Sequence, residues 1–338
     1  NKKTENENKT KENIKESKDA NINKSNTIEN SQNNEKQELL DIKNDYVFKR
    51  TFGYKGDEEV TKVLLRDILG MKVNEIDLDV NPITEKELMD DKLGIMDIAS
   101  VVNDNVQVDI EMQVVNKNNI EKRIMYYWNA YYQKSISKGD DYGELKRTII
   151  ILIADFEIKG IEQAKKYFTE WEIREKDYSE LILTDVLKIC IIELPKYIKY
   201  KVNNPNLNLW TEFLENPEVI NMSEKDIENE KDESIKTTKK AIKQAKDTLE
   251  QISKDKHEQE LARLRKKYIM DQNAIQEYGY CQGVEDGKRD GIEIGKNDGI
   301  QFEKIETAKK MLAKKMPIDV IIEITGLSKE EIEDIKKL

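Results

Sequence analysis

Apolar and polar residues alternate without interruption over residues 106–114, Val-Gln-Val-Asp-Ile-Glu-Met-Gln-Val, which is the two-residue period of a β-strand. That period places Asp109, Glu111 and Gln113 on one side. A second alternating stretch, 96–102, ends just before it, and Asn103, Asp104 and Asn105 supply a turn. Paired as a hairpin, the two strands bring Asp97 beside Glu111, two carboxylates converging at the edge of a sheet. Residues 75–83 read as a further strand. Upstream, 39–69 holds two helices around Phe48–Gly53; in the second, Val60, Val63, Leu64, Ile68 and Leu69 recur at helical spacing, with Gly70 just past its end. Downstream, Ile124, Tyr127, Trp128 and Tyr131 repeat at helical intervals within 120–137. Residues 148–154 are apolar almost throughout, as in a strand covered on both faces, and a strand pair follows at 167–174 and 186–194. The order helix, three strands, helix, strand predicts an α/β core with a mixed sheet.

The pattern changes near residue 201. Asn203, Asn204 and Pro205 mark a break, and the remainder reads as highly charged helix. Glycines at 279, 283, 287, 291, 295 and 299 fall every fourth residue, and each costs a helix about 1 kcal/mol relative to Ala. Two readings stand side by side: close contact with another helix, including one from a second copy of the chain, or an expanded, partly helical low-complexity repeat. The last segment predicts a small helix-turn-helix. Residues 304–315 are amphipathic, Thr325-Gly326-Leu327 is a turn, and Ser328 with Glu331 has capping-box spacing. Few basic residues open its second helix, which favours a helical cap or oligomerisation piece over DNA reading. The expected organisation is a polar tail at 1–38, an α/β domain at 39–200, a charged helical region at 201–275 and the glycine-repeat helix with its terminal unit at 276–338.

Composition narrows the chemistry. Hydrophobic residues make up 37% of the 338 and charged residues another 37%, a profile of one packed core plus charged helices or tails. Residues 1–37, almost all Asn, Lys, Glu, Ser and Thr, lack the apolar surface that offsets chain entropy and are expected to be disordered. The chain opens on Asn1 rather than Met, as a fragment or processed form does. It has no apolar run of membrane-spanning length, and a cytoplasmic location is expected. A single histidine, His257, argues against a Ser-His-Asp triad or a multi-histidine metal centre, and two cysteines make neither a disulfide framework nor a zinc set. The net charge of −11 argues against generic electrostatic DNA binding, but a local basic groove and a bound metal still suffice to hold phosphates.

Two carboxylates suit Mg²⁺, which proteins hold through one or two carboxylates while it keeps several waters. Asp97 and Glu111 fit that pattern, with the Met112 backbone carbonyl as a third ligand. Gln113 lies ~7 Å further along the strand on the same face, in reach of the attacking water or a phosphate oxygen.

Three ordered segments, Gly94-Ile95-Met96-Asp97, Asp109-Ile110-Glu111-Met112-Gln113 and Arg123-xxx-Tyr127-Trp128, resemble the PD-(D/E)XK nuclease superfamily, closest to its Rpn-type recombination-promoting nucleases, often labelled transposases. The resemblance starts at Asp41-xxx-Asp45-Tyr46-Val47-Phe48-Lys49 and runs through Gly139-Asp140-Asp141-Tyr142 and 149–156. It resumes in the glycine repeat and in 324–332, covering about three quarters of the chain. It implies a restriction-endonuclease-like core and a Mg²⁺-dependent DNA endonuclease, with Mn²⁺ as a substitute, linked to recombination or to mobile or foreign DNA. It makes Asp97 and Glu111 metal ligands and puts Gln113 where the superfamily usually has Lys. An amide carries no charge, so Arg123 or Lys122 on the next helix would supply it, and Arg123 and Tyr127, one turn apart, would face the site together. Glu58 and Glu59 are candidates for an acidic contribution from the first core helices. DNA is the implied partner, with homo-oligomers formed through the C-terminal helices. The alternative is a catalytically degenerate nuclease fold serving as an oligomeric interaction protein.

Overall fold

Helix α1 (Asp45–Phe52) begins where the Asn44 side chain accepts hydrogen bonds from the Tyr46 and Val47 amides, an N-cap that satisfies otherwise orphaned donors. The computed structural model describes residues 38–54, 58–79, 97–116 and 119–337, so the predicted tail lies outside the described residues except for Glu38. The chain divides into two compact units, 1–266 and 267–338.

In the first unit, α1 and α2 (Glu58–Leu69) precede a sheet of six strands, ordered β1-β2-β3-β4-β6-β5. Strands β1 (Ile76–Leu78), β2 (Ile98–Val102) and β3 (Val106–Gln113) run antiparallel to one another. Strands β4 (Arg147–Ala154) and β6 (Ile182–Glu193) then extend the sheet in parallel with β3, and β5 (Phe168–Arg174) closes it antiparallel to β6. The β2–β3 turn requires positive φ at Asn103 (48°) and Asp104 (64°), a region these two residue types tolerate better than most. Helix α3 (Ile120–Gln133) lies between β3 and β4 in sequence. The sheet is the predicted mixed one, with two boundary differences. Strand β6 starts at Ile182 rather than near 186, and the strand expected over 75–83 is three residues long within the described part.

The two faces of β3 have different neighbours. Val106, Val108, Ile110 and Met112 enter the main core with Phe48, Phe52 and Leu64. On the other face Ile120 and Ile124 of α3 pack against Ile150, Leu152, Ile189 and Ile191. Tyr131 donates to the Ser100 carbonyl (2.9 Å) and Trp128 to the Thr148 carbonyl (3.0 Å), which pins α3 to the sheet. Strand β3 is therefore buried on both faces, an interior strand of the sheet. The sequence pattern suggested carboxylates at a sheet edge. That expectation fails because the distant 147–154 segment pairs alongside β3 and supplies the missing neighbour.

The break at Asn203–Pro205 separates sequence styles without ending the core. Helix α4 (Pro205–Glu215) contributes Trp210, Phe213 and Leu214 to the core under the sheet, and α6 (Glu233–Lys254) contributes Ile242, Ala245 and Leu249; between them lies the short α5 (Glu224–Glu228). Asp67 of α2 binds this layer together. Its buried carboxylate accepts from Trp210 Nε1 (2.9 Å), Thr238 Oγ1 (2.7 Å) and Arg66 Nη2 (2.6 Å). Replacing Asp67 by Ala leaves the buried Trp210 N–H without its acceptor and Arg66 without its carboxylate, while Thr238 keeps the Ser234 carbonyl (3.1 Å), so stability should fall by about 3 kcal/mol. Urea denaturation would register this as a lower midpoint at unchanged slope.

Helix α7 (Lys256–Ala313) runs without interruption through the glycine repeat, and a Cβ built on any of the six glycines meets no atom within 4 Å. In the second unit, Ala308 and Met311 of α7 pack with Ile321 of α8 (Ile318–Thr325), Leu327 and Ile332 of α9 (Lys329–Lys337). Gly326, at φ 67°, ends α8, and the Ser328–Glu331 capping box opens α9 as the spacing predicted. No helix among the described residues is long and apolar enough to cross a membrane.

Candidate active site

Asp97 directly precedes β2, and the Ile98–Ile110 register sets it opposite Glu111. Its Oδ2 accepts from the Met112 amide at 2.7 Å, so the hairpin itself holds the carboxylate in place. From Glu111 a chain of polar contacts runs outward along the strand and onto α3. Gln113 Nε2 donates to Glu111 Oε2 (3.2 Å), and Arg123 Nη1 donates to Gln113 Oε1 (3.2 Å). Arg123 Nε donates to the Tyr127 hydroxyl (2.9 Å), and the guanidinium carbon lies 5.4 Å from the centre of that ring. The helical spacing of Arg123 and Tyr127 thus converges with the strand spacing of Glu111 and Gln113.

Beneath this chain the charges are under-compensated. Both oxygens of Asp109 and Oε1 of Glu111 are buried without a hydrogen-bond donor. Burial pushes the carboxyls of Asp97, Asp109 and Glu111 well above the usual carboxylate range. Mutual repulsion adds to this, Glu111 acting on Asp97, Asp97 on Asp109 and Asp109 on Glu111. Lys49 opposes the shift at Asp97 and Asp109, Arg123 opposes it at Glu111, and Asp45 of α1 reinforces it at Asp97 and Glu111. A void of about 10 Å³ between Glu111, Gln113, Arg123 and Tyr127 has room for at most one water.

These shifts set a pH dependence. Each carboxyl holds its proton to higher pH in the folded chain than in the unfolded one. From about pH 4 upward the folded state therefore binds the extra protons, and stability declines as pH rises through the raised values. In EDTA, melting temperature should fall between about pH 5 and about pH 8, and Asp109→Asn should flatten the decline. A melting temperature that climbs over this range in EDTA would contradict the assignment.

The structure brings together Asp97, Glu111, Gln113, Arg123, Tyr127 and the Met112 main chain. It does not bring in Lys122, which is exposed and donates to Asn119 Oδ1, or Glu59, which is exposed and pairs with Lys62. Glu58 is half-buried, and neither it nor Glu59 is among the leading charges acting on the three carboxyls. The helical acid that does act there is Asp45, itself held by Arg265 at 2.5 Å, and its companion is Lys49 one turn later. The four-residue spacing of Asp45 and Lys49 was the available signal. Asp109, read as a neighbour, is the most deeply buried of the three carboxylates.

A family model described as PD-(D/E)XK nuclease family transposase matches residues 42–279, spanning both halves of the hairpin and α3. The chain belongs to this family. A second model, the C-terminal HTH domain of the Rpn/YhgA-like nuclease family, matches residues 301–337, the unit built from the end of α7, α8 and α9. No curated protein and no solved structure matches. Membership in this nuclease family makes the mixed sheet a PD-(D/E)XK core and points to nuclease or transposase chemistry. The HTH unit, expected above to be a helical cap, points to DNA as a partner. Among the described residues no three His, Cys, Asp or Glu side chains form a ready metal cage. The donor set instead fits an ion that takes few protein ligands. It offers two opposed carboxylates, and Glu111 Oε1 is buried without a partner.

Proposed function

We propose that the chain is a divalent-metal-dependent DNA endonuclease that hydrolyses phosphodiester bonds at Asp97, Glu111 and Gln113. Mg²⁺ is the working ion, Mn²⁺ a substitute, and the role lies in recombination or action on mobile or foreign DNA. The observation that carries this reading is the orphaned Glu111 oxygen, buried beside a second carboxylate and an arginine within a nuclease-family fold. Leaving such atoms unpartnered is costly in a stable protein and is compensated when they serve a site.

Asp97, Glu111 and the Met112 carbonyl would hold the ion, which when bound supplies charge neutralisation and an activated water. Gln113, anchored at both ends of its amide, orients the water or a phosphate oxygen. Arg123 brings to the phosphoryl oxygens the positive charge that the amide lacks, and Tyr127 fixes the direction of the guanidinium. The same reading includes homo-oligomers through the C-terminal helices and a cytoplasmic site of action.

Supercoiled plasmid incubated with the purified protein should be nicked with Mg²⁺ or Mn²⁺, and not in EDTA or by Asp97→Ala. Nicking that survives both Asp97→Ala and Glu111→Ala would sink the assigned site. Absence of nicking with either ion would favour a degenerate fold acting as an interaction protein.

A further inference from the structure

In a chain of net charge −11, five exposed lysines gather at one end of the sheet: Lys159, Lys165, Lys166, Lys199 and Lys201. They lie on two segments, the one leaving β4 and the one leaving β6. The fold ties these together: Tyr167 donates its amide to the Tyr200 carbonyl (3.2 Å), and the Glu193 amide donates to the Tyr167 carbonyl (2.8 Å). The buried Glu193 carboxylate accepts from the Ile158 amide (2.8 Å) on one segment and from Lys196 Nζ (2.7 Å) on the other. Lys165 and Lys199 converge on a single ring, their ammonium nitrogens 5.5 and 5.2 Å from the centre of Tyr200, while Lys201 lies 4.7 Å from that of Tyr197. Lys199 and Lys165 together hold the Tyr200 phenol below its ordinary range.

Among the described residues no carboxylate lies within ion-pair distance of the five lysines; Glu162 is the nearby acid, attracted to Lys159, and its main-chain carbonyl accepts from Lys165 Nζ (3.3 Å). The exposed acids of these segments are Glu157 and Glu162, and Glu162 accepts from the Gly160 amide (2.9 Å). With five ammonium groups against the single nearby charge of Glu162, the lysines drawn together on aromatic faces repel one another, and a polyanion relieves that repulsion.

The position of this surface suggests which polyanion. Gln113 pairs in register with Ala154, and Ala154 with Glu193, so Glu193 lies about 10 Å across the sheet from Gln113. Because β3, β4 and β6 are parallel, the lysine-bearing segments leave the sheet at the end where β3 presents Glu111 and Gln113. We infer that Lys159, Lys165, Lys166, Lys199 and Lys201, with Tyr200, form a phosphate-binding surface that grips the nucleic-acid backbone beside the scissile position. This deepens the nuclease reading and rests on it.

Binding of a fluorescent duplex in EDTA, titrated at several salt concentrations, tests the surface. The variant carries Lys165→Gln, Lys199→Gln and Lys201→Gln, and a control carries Lys225→Gln, Lys240→Gln and Lys254→Gln on α5 and α6, with the same change in net charge. The surface variant should bind about tenfold more weakly. Its slope of log affinity against log salt should shrink by roughly 2.5, since each phosphate contact contributes about 0.9. The control should keep the slope. Nicking at limiting DNA is read in parallel, and circular-dichroism melting checks that each variant is folded. Unchanged binding and nicking by the surface variant, or an equal loss in the control, overturns the surface and leaves the nuclease reading intact. A native chain that neither binds the duplex nor nicks plasmid with Mg²⁺ or Mn²⁺ overturns both. Loss of vesicle binding by the surface variant, with duplex binding intact, would overturn the nucleic-acid assignment in favour of anionic lipid.

Discussion

Glu111→Gln should reduce plasmid nicking on the order of 1,000-fold, about 4 kcal/mol of transition-state stabilisation, while making the metal-free protein more stable. The two effects have one cause. Glu111 Oε1 is buried without a donor, and its charge is repelled by Asp109 two residues earlier. An amide of the same size removes the charge and its desolvation, so a gain of roughly 1–2 kcal/mol at neutral pH is expected. A metal, by contrast, loses an anionic ligand. Asp109→Asn provides the contrast: it should stabilise for the same reason, since neither Asp109 oxygen has a partner. Single-turnover nicking and differential scanning calorimetry on the same preparations measure the two effects. Glu111→Gln retaining activity within tenfold would remove Glu111 from the metal shell, whatever its stability.

Arg123→Met should slow nicking about 100-fold, and Gln113→Lys should restore much of the loss in that background. Where a lysine would supply fixed positive charge, the chain places a neutral amide, and the nearest cation to that amide is Arg123, 3.2 Å from its oxygen. Removing one preorganised charge of this kind costs about 2.7 kcal/mol. Lysine at 113 returns a cation to the face shared with Glu111. In the native background the same change takes away the amide oxygen that accepts from Arg123 Nη1 and sets two cations together, so Gln113→Lys alone should not accelerate the reaction. The two substitutions share a contact, so their effects must be non-additive, and a double-mutant cycle of single-turnover rates reads the coupling. Additive losses would show that Arg123 works independently of position 113.

Much of this site follows from short-range order. The alternation over 106–114 placed Asp109, Glu111 and Gln113 on one face, the Asn-Asp turn paired Asp97 with Glu111, and four-residue spacing put Arg123 beside Tyr127. Each of these depends on the pitch of a strand or helix, which neighbouring residues set among themselves. The same reasoning misjudged the surroundings. An alternating strand reads as half exposed, yet β3 is covered on both faces, and only the register of β4 reveals it. Nothing in the charged sequence beyond Pro205 announced that Trp210, Phe213 and Ile242 complete the core under the sheet.

By itself, the sequence determined which side chains share a face and the ordered motifs of a nuclease family. Only the tertiary structure decided that both oxygens of Asp109 and one of Glu111 are buried without a partner, that Asp45 adds to their field, and that lysines from two separate segments meet beside Tyr200. The division has a physical reason. Periodicity is local, whereas desolvation and electrostatic coupling depend on which elements, 35 to 200 residues apart in the chain by rough count, come to cover the same few atoms.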